Sequence, residues 1–233
     1  MIPLRDTARS NTFPIINIIF IAVNIIIFLY EQSLGNRLNQ FIYHYGLVPA
    51  ILFSKTDISL ADRALPFVSS MFLHGGWMHI IGNMLFLYIF GDNVEDRMGH
   101  IKYAIFYIIC GLTAAAFQIA TNLHSNIPMV GASGAISGVL GAYLLFFPKS
   151  RVLTIVPIFI FIQFIHIPAA VFILIWFGFQ LLSGIGTLSI SHGMGGVAFW
   201  AHIGGFLGGL VLAKPLQKKT YKIFNSIKTN YYH

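Results

Sequence analysis

Long apolar stretches, separated by short polar or charged segments, run along almost the whole chain. Each stretch is close to, or slightly short of, the roughly 20 residues that a helix needs to cross a hydrocarbon core of about 30 Å. The pattern predicts an all-α, polytopic membrane bundle of six transmembrane helices. The six predicted spans cover residues 13–30, 78–91, 103–121, 131–147, 168–183 and 197–212.

The apolar segment 152–184 admits more than one interpretation, because it is too long for one span and short for two. Pro157 and Pro168 interrupt it, and proline breaks a regular helix. We expect residues 168–183 to form the fifth span. Residues 152–167 would then be an apolar connection that lies on the membrane surface or packs against the bundle.

The balance of charge supports the membrane assignment and gives an orientation. Only 9% of the residues are charged, against about 25% in a typical soluble domain. With the N-terminus in the cytoplasm, eleven of the fourteen Lys and Arg residues fall on the cytoplasmic side, as the positive-inside rule requires. A seventh span would move the lysine-rich tail outside. The net charge of +7 therefore indicates topology, and a nucleic-acid partner is not expected.

These assignments divide the chain into three parts. Residues 1–12 form a cytoplasmic N-terminus, 13–213 a six-helix membrane domain, and 214–233 a basic cytoplasmic tail. We expect a multi-pass protein of a prokaryotic plasma membrane, with both termini in the cytoplasm and the lipid bilayer around it. The oligomeric state is left open.

A cluster of small residues, Gly131-Ala132-Ser133-Gly134, opens the fourth predicted span. Backbone N–H groups are free in the first turn of a helix, and the helix dipole is positive there. An oxyanion formed on a substrate carbonyl would be stabilised at such a place, beside a serine that could attack the carbonyl. Small residues also allow helices to pack closely, so a packing role stays open at this point.

A single histidine, His202, lies within the last predicted span and is followed by a glycine ridge. A neutral imidazole is a suitable general base near pH 7. The ridge would let this helix approach the fourth one, so that His202 could reach Ser133. A hydrogen bond between helices is the alternative role. Since these spans contain no Asp or Glu, we expect a Ser–His dyad with His202 oriented by packing or by an uncharged partner.

His79 and Asn83 are four residues apart on the second predicted span and therefore share one face of the helix. Both side chains can donate a hydrogen bond to a developing oxyanion. A purely structural bond between helices is the alternative. His74, just before them, is expected to order the loop. No acidic residue lies between His74 and His79, so the zinc pattern His-Glu-x-x-His is missing and neither a metal nor another cofactor is expected.

Taken together, the motifs resemble those of rhomboid intramembrane serine proteases of the six-span core type. The resemblance extends over residues 13–213 and rests on four segments: His74 with His79–Asn83, Glu95–Gly99, Gly131–Gly134 and Ala201–Gly205. It implies a peptide-bond hydrolase that cleaves transmembrane protein substrates near the outer face of the membrane through an acyl-enzyme intermediate. The alternative is a catalytically silent rhomboid-like protein that binds membrane clients. Because such relatives lose Ser or His, the presence of both favours an enzyme.

Residue by residue, the resemblance implies that Ser133 is the nucleophile and His202 the general base. The oxyanion would be held by His79, Asn83 and the backbone N–H of Ser133. In some members an aromatic residue one turn after the nucleophile packs on the catalytic histidine, and here that position is Ser137. What orients His202 is therefore not given by the resemblance.

The chain differs from many family members at a second place, in the first loop. Many members have a Trp-Arg pair in the first loop, where this chain has Leu65-Pro66.

We also expect the glycine-rich segment 185–196 to be a mobile cap that moves with the fifth span to admit substrate from the side. Trp176 and Phe179 are the candidate gate side chains.

Overall fold

The computed structural model describes residues 1–54, 59–158, 161–188 and 198–219. The helices and strands of these residues, in chain order, are β1 (Ile2–Asp6), α1 (Ile15–Ser33), α2 (Leu38–Tyr45), α3 (Pro49–Leu52), α4 (Leu60–Ala64), α5 (Pro66–Ser69), α6 (Trp77–Met98), α7 (His100–Thr121), α8 (Ser133–Phe146), β2 (Arg151–Ile158), β3 (Phe161–Pro168), α9 (Ala169–Leu188) and α10 (Phe199–Leu216). Two 3₁₀ turns, Gly35–Arg37 and Ser70–Phe72, complete the long connection between α1 and α6.

Four helices in the described part of the chain are long and apolar enough to cross a membrane: α1, α7, α9 (as Ala169–Gly186) and α10. The helix α8 is apolar but has only 14 residues. The helix α6 has 22 residues and ends in an acidic turn. The predicted polytopic helical membrane bundle is thus confirmed, and the count of six spans stays a prediction that α6 and α8 would complete.

The helix α8 lies at the centre of the bundle and is buried from Gly134 to Tyr143. A helix that is apolar all round is suited to such a position. It packs against α10 backbone to backbone. A Cβ atom at Gly205 would come within 1.9 Å of the Gly134 carbonyl oxygen, and one at Gly209 within 2.1 Å of the Gly138 oxygen. Only glycine fits these two α10 positions, and this contact brings the starts of α8 and α10 together.

The segment 152–167, which we expected to be a connection on the membrane or against the bundle, forms most of a β-hairpin. The strands β2 and β3 pair antiparallel from Arg151 opposite Pro168 to Ile158 opposite Phe161. The strand β1 pairs with the other edge of β2, which gives a three-stranded sheet in the order β1-β2-β3. The abundance of β-branched residues in β2 favours this conformation. The structure thus adds a small sheet to the predicted helical bundle.

The acidic end of α6 holds the segment that follows β1. Ser10 donates a hydrogen bond to Asp92 (3.1 Å) and Thr12 donates one to Asp96 (2.8 Å). The buried carboxylate of Glu95 accepts the backbone N–H groups of the first turn of α1 at 3.0 and 2.8 Å. This carboxylate therefore lies where a helix N-terminus favours negative charge.

Two further contacts place residues near both ends of the described chain at this same end of the bundle. The backbone N–H of Lys218 donates to the Arg97 carbonyl at 2.9 Å. The carboxylate of Asp6, on β1, accepts hydrogen bonds from the Tyr143 hydroxyl of α8 and from the side-chain amide of Asn93. The sheet, the end of α6 and the end of α10 therefore form one face of the molecule, opposite the starts of α6, α8 and α10.

Candidate active site

Ser133 is the first residue of α8, and the turn before it is tightly held. Gly131 has a φ of +126°, a backbone conformation that side chains with a Cβ rarely adopt. Its N–H donates to the Ser70 carbonyl at 2.8 Å. Met129, two residues earlier, exchanges two backbone hydrogen bonds with Leu47. The Ser133 side chain is therefore presented at a fixed helix start.

The structure brings Ser133 and His202 into contact. The Nε2 atom of His202 lies 2.8 Å from the Oγ atom of Ser133. His202 is in the first turn of α10, nearer to the start of its helix than the predicted span 197–212 suggested. The His202 residue is only 7% exposed. A hydroxyl and an imidazole at this distance can exchange a proton, as a nucleophile and its base must.

On its other side the His202 ring meets an amide from α9. The Nδ1 atom lies 2.7 Å from the Oε1 atom of Gln180. An amide oxygen only accepts, so in this arrangement Nδ1 carries the proton and the lone pair of Nε2 faces Ser133. The Trp176 ring, one turn before Gln180, lies 6.0 Å from the imidazole between ring centroids. Both side chains lie against the imidazole, for which the sequence predicted packing or an uncharged partner.

His79 and Asn83 line the same cavity as Ser133 and His202. The His79 ring lies against the turn before α8, where a Cβ atom at Gly131 would come within 2.6 Å of its Nε2 atom. The Nδ2 atom of Asn83 lies 3.0 Å from Nε2 of His74, so one of its two amide hydrogens is used in this bond and the side chain keeps a second donor.

His74 lies in the loop before α6 and supports Asn83 from behind. Burial lowers the pKa of His74 to about 4, with a smaller contribution from the neighbouring His79, so its ring is neutral at physiological pH and its Nε2 atom can accept a hydrogen bond from the Asn83 amide. Its backbone N–H donates to the carboxylate of Glu31, at 3.3 and 3.2 Å to the two oxygens. These contacts agree with the expected role of His74 in ordering the loop.

Sequence reasoning did not find Glu31 and Gln180. The first predicted span, 13–30, ends just before Glu31, whereas in the structure Glu31 is the buried acid of the last turn of α1. Its position directly after an uncharged apolar stretch was the available signal. Gln180 is the one amide side chain among residues 168–183, and a polar side chain within a predicted span is a signal of function.

A cavity of about 1160 Å³ opens beside the Ser133 side chain. The four predicted site residues lie along it, and most of the remaining lining is apolar: Met78, Phe86, Ile127, Val130, Ile136 and Leu140. Trp176 also lines it, whereas Phe179 is 62% exposed and is not among its lining residues. Most of the predicted cap 185–196 falls in residues 189–197, outside the described residues.

The contacts amount to the parts that acyl transfer requires. A hydroxyl is paired with an imidazole, and the imidazole with an orienting acceptor. The hydroxyl also lies at a helix N-terminus, where N–H groups have no partner within the helix. His79 and the Asn83 amide add hydrogen-bond donors on the same side of the cavity.

The family match and the similar proteins all point to one family. The Rhomboid domain family matches residues 61–219. The Rhomboid protease GluP of Bacillus subtilis (strain 168) is 28% identical over 209 residues, which are 89% of this chain and 36% of that protein. RHOMBOID-like protein 4 of Arabidopsis thaliana is 34% identical over 157 residues, which are 65% of this chain and 34% of the relative.

Rhomboid-like protein 11, chloroplastic, also of Arabidopsis thaliana, is 31% identical over 155 residues, covering 65% of this chain and 52% of the relative. The chain thus spans between about a third and a half of the length of these three relatives. The family match includes α6, α8 and α10, which carry Asn83, Ser133 and His202. Since that match extends over more than half of the sequence, the chain belongs to the rhomboid family.

Proposed function

We propose that this protein is an intramembrane serine endopeptidase that cleaves transmembrane segments near the outer face of the membrane. The observation that carries the proposal is the 2.8 Å contact between Ser133 Oγ and His202 Nε2 at the start of α8, beside an open cavity. The rhomboid family includes both intramembrane proteases and inactive members, so family membership alone does not decide between them.

The proposed reaction starts when Ser133 Oγ attacks the carbonyl carbon of a peptide bond and His202 Nε2 takes the hydroxyl proton. The carbonyl oxygen becomes an oxyanion, which the Ser133 N–H, His79 and Asn83 stabilise. As the C–N bond breaks, His202 returns its proton to the leaving amine. Water then attacks the acyl-enzyme ester with His202 again acting as base, which releases the new carboxyl end and restores Ser133.

The remaining features of the proposal concern the membrane. The sheet end of the bundle, with residues 1–12 and the basic tail 214–233, would face the cytoplasm, and the membrane domain 13–213 would place Ser133 near the opposite surface. The basic residues beside the spans support this orientation. The relatives named above come from a plant as well as from a bacterium, so they do not support the prokaryotic membrane that the sequence suggested.

The alternative function is that of a catalytically silent membrane protein that binds clients. The protease and the silent protein differ in the reactivity of Ser133. A serine with an active base reacts with a fluorophosphonate, whereas an unactivated serine does not. We expect the purified protein to be labelled and to cleave a single-span model substrate, and Ser133→Ala to lose both activities.

Ser137→Ala is the matched control for this experiment. Ser137 lies one turn along the same helix, and its hydroxyl donates to the Ser133 carbonyl at 2.6 Å, away from the lining of the cavity. The control variant should keep both labelling and cleavage. Cleavage that survives in Ser133→Ala contradicts the serine mechanism, and a wild-type protein that binds the substrate without cutting it supports the silent alternative.

A further inference from the structure

We propose that Gln180 is the positioning residue of the site: it holds His202 in the tautomer that can accept the Ser133 proton. This inference rests on the proposed function and identifies the third member of its hydrogen-bond chain. It also makes α9, which carries Gln180, part of the machinery that sets up the base.

The first observation is the pair of distances on either side of one ring. His202 Nδ1 lies 2.7 Å from Gln180 Oε1, and Nε2 lies 2.8 Å from Ser133 Oγ. A neutral imidazole has one protonated and one unprotonated nitrogen. An acceptor at Nδ1 selects the tautomer whose Nε2 is free to take a proton. Without it, a proton on Nε2 would face the hydroxyl and could not be exchanged for the serine proton.

The second observation is that two side chains of α9 contact the His202 ring from the same face of the helix. Gln180 and Trp176 are four residues apart on α9 and therefore lie on one face of the helix. The amide contacts the edge of the His202 ring while the Trp176 ring lies next to it at a tilt of 37°. The imidazole is thus fixed both in protonation and in orientation by a single helix face.

An amide is suited to this place because of the surroundings. His202 is nearly fully buried, and the amino-acid sequence from Val152 to Ala213 contains no Asp, Glu, Lys or Arg. Burying a carboxylate there would cost much more free energy than burying an amide that is hydrogen-bonded. Gln180 therefore supplies the acceptor without the charge.

Gln180 does not line the cavity beside Ser133, so it is placed to act on the base and not on the substrate. Its removal should lower kcat and leave KM close to the wild-type value. The hydrogen bond between Gln180 and His202 also depends on the packing of α9 against α10. The stacked rings of Phe177 and Phe206, with centroids 4.4 Å apart, hold the two helices together beside it.

The test compares Gln180→Met with Gln180→Glu. The methionine keeps the length of the side chain but has no strong acceptor. We expect its rate of fluorophosphonate labelling and its kcat to fall at least about tenfold, part of the roughly 10²–10⁴-fold that a general base contributes. The glutamate restores an acceptor, and its negative charge, which the adjacent imidazolium offsets, favours the protonated form of the ring. We therefore expect it to recover labelling, with the acidic limb of its pH–rate profile at higher pH than in wild type.

Gln118→Met is the matched control. Gln118, on α7, also uses its amide oxygen to hold the start of α10, accepting the Ala201 backbone N–H at 3.2 Å, but it does not touch the imidazole. Its loss should leave the pH–rate profile unchanged. Thermal melting in detergent verifies that all three variants are folded.

Two results overturn the inference while leaving the proposed function intact. One is a Gln180→Met protein that is labelled at the wild-type rate with the wild-type pH profile. The other is an equal loss of labelling rate and kcat in Gln180→Met and Gln118→Met that Gln180→Glu does not reverse. This result would mean that Gln180 only stabilises the fold. A wild-type protein that no fluorophosphonate labels contradicts the proposed function itself.

Discussion

His79 and Asn83 lie on one face of α6 beside Ser133, and both contact His74, the Asn83 amide through a hydrogen bond and the His79 ring edge to face at 5.1 Å between centroids. We predict that His79→Ala and Asn83→Ala each reduce kcat by roughly 10²–10³-fold, the typical contribution of one oxyanion donor. Substrate affinity should change little, because the oxyanion exists only after attack. Cleavage rates of a model transmembrane substrate, measured over a range of substrate concentrations, separate the two effects.

Asn24→Ala is the control for this prediction. Asn24 is also a buried asparagine in a membrane helix, but it bonds to the Phe20 carbonyl within α1, outside the lining of the cavity. It should keep the wild-type kcat. Wild-type kcat in both His79→Ala and Asn83→Ala would show that the pair serves only to hold the helices together.

Motif and spacing predicted Ser133 and the three site residues near it, because each sits in a local pattern that can be interpreted without knowing the fold. The pattern at His79 and Asn83 is a helical repeat of four, and the pattern at Ser133 is a helix start between glycines. Gln180 and Glu31 have no such local pattern. Their roles depend on which helices are neighbours, and this information lies in long-range packing.

At the scale of the elements, the contact between α8 and α10 tolerates no side chain at its glycines. A Cβ atom at Gly209 would lie 2.1 Å from the Gly138 carbonyl oxygen, which is rigid backbone. We predict that Gly209→Ala lowers the melting temperature, since overpacking typically costs about 1–3 kcal/mol. It should also reduce labelling of Ser133, because separating the helices moves His202 away from the serine.

Gly178→Ala gives the comparison. Gly178 lies in α9, where an added Cβ would meet nothing within 4 Å. Alanine is a better helix former than glycine by about 1 kcal/mol, so this variant should melt at the same temperature as wild type or higher. Equal melting temperatures for Gly209→Ala and wild type would contradict the close packing of α8 and α10.

The hairpin of β2 and β3 is an element that the sequence pattern did not predict. The segment 152–167 is apolar and uncharged, so hydropathy identified it as membrane-associated but not as sheet. The β-branched residues of β2, with Val152 and Thr154 alternately buried, were the available signal. The third strand, β1, comes from the N-terminal segment, and a pairing so distant in sequence has no local signature.

At the scale of the whole molecule, the sheet end contains a carboxyl group that titrates near neutral pH. Burial raises the pKa of Asp6 from 3.8 to about 6, an effect that the Tyr143 hydrogen bond opposes and the nearby Asp92 reinforces. Between these two values the folded state keeps a proton that the unfolded state has lost. The contribution of Asp6 to stability therefore decreases as the pH rises to about 6 and stays at the lower level above it.

Asp6→Asn tests this dependence. The asparagine oxygen can still accept hydrogen bonds from Tyr143 and Asn93, but it carries no charge at any pH. We predict that the variant melts at a higher temperature than wild type at pH 8, and that the difference shrinks at pH 5. Melting in detergent at both pH values measures it. A difference of equal size at pH 5 and pH 8 contradicts the prediction.

The pairing of β1 with β2 also has a consequence for the order of assembly during synthesis. The strand β1 leaves the ribosome before β2, which follows about 150 residues later, a delay of roughly 8–30 s at common translation rates. The partners of the segment after β1, Asp92 and Asp96, emerge well before that. The sheet end should therefore close in two stages, first onto α6 and then, once α8 is in place, as a finished sheet.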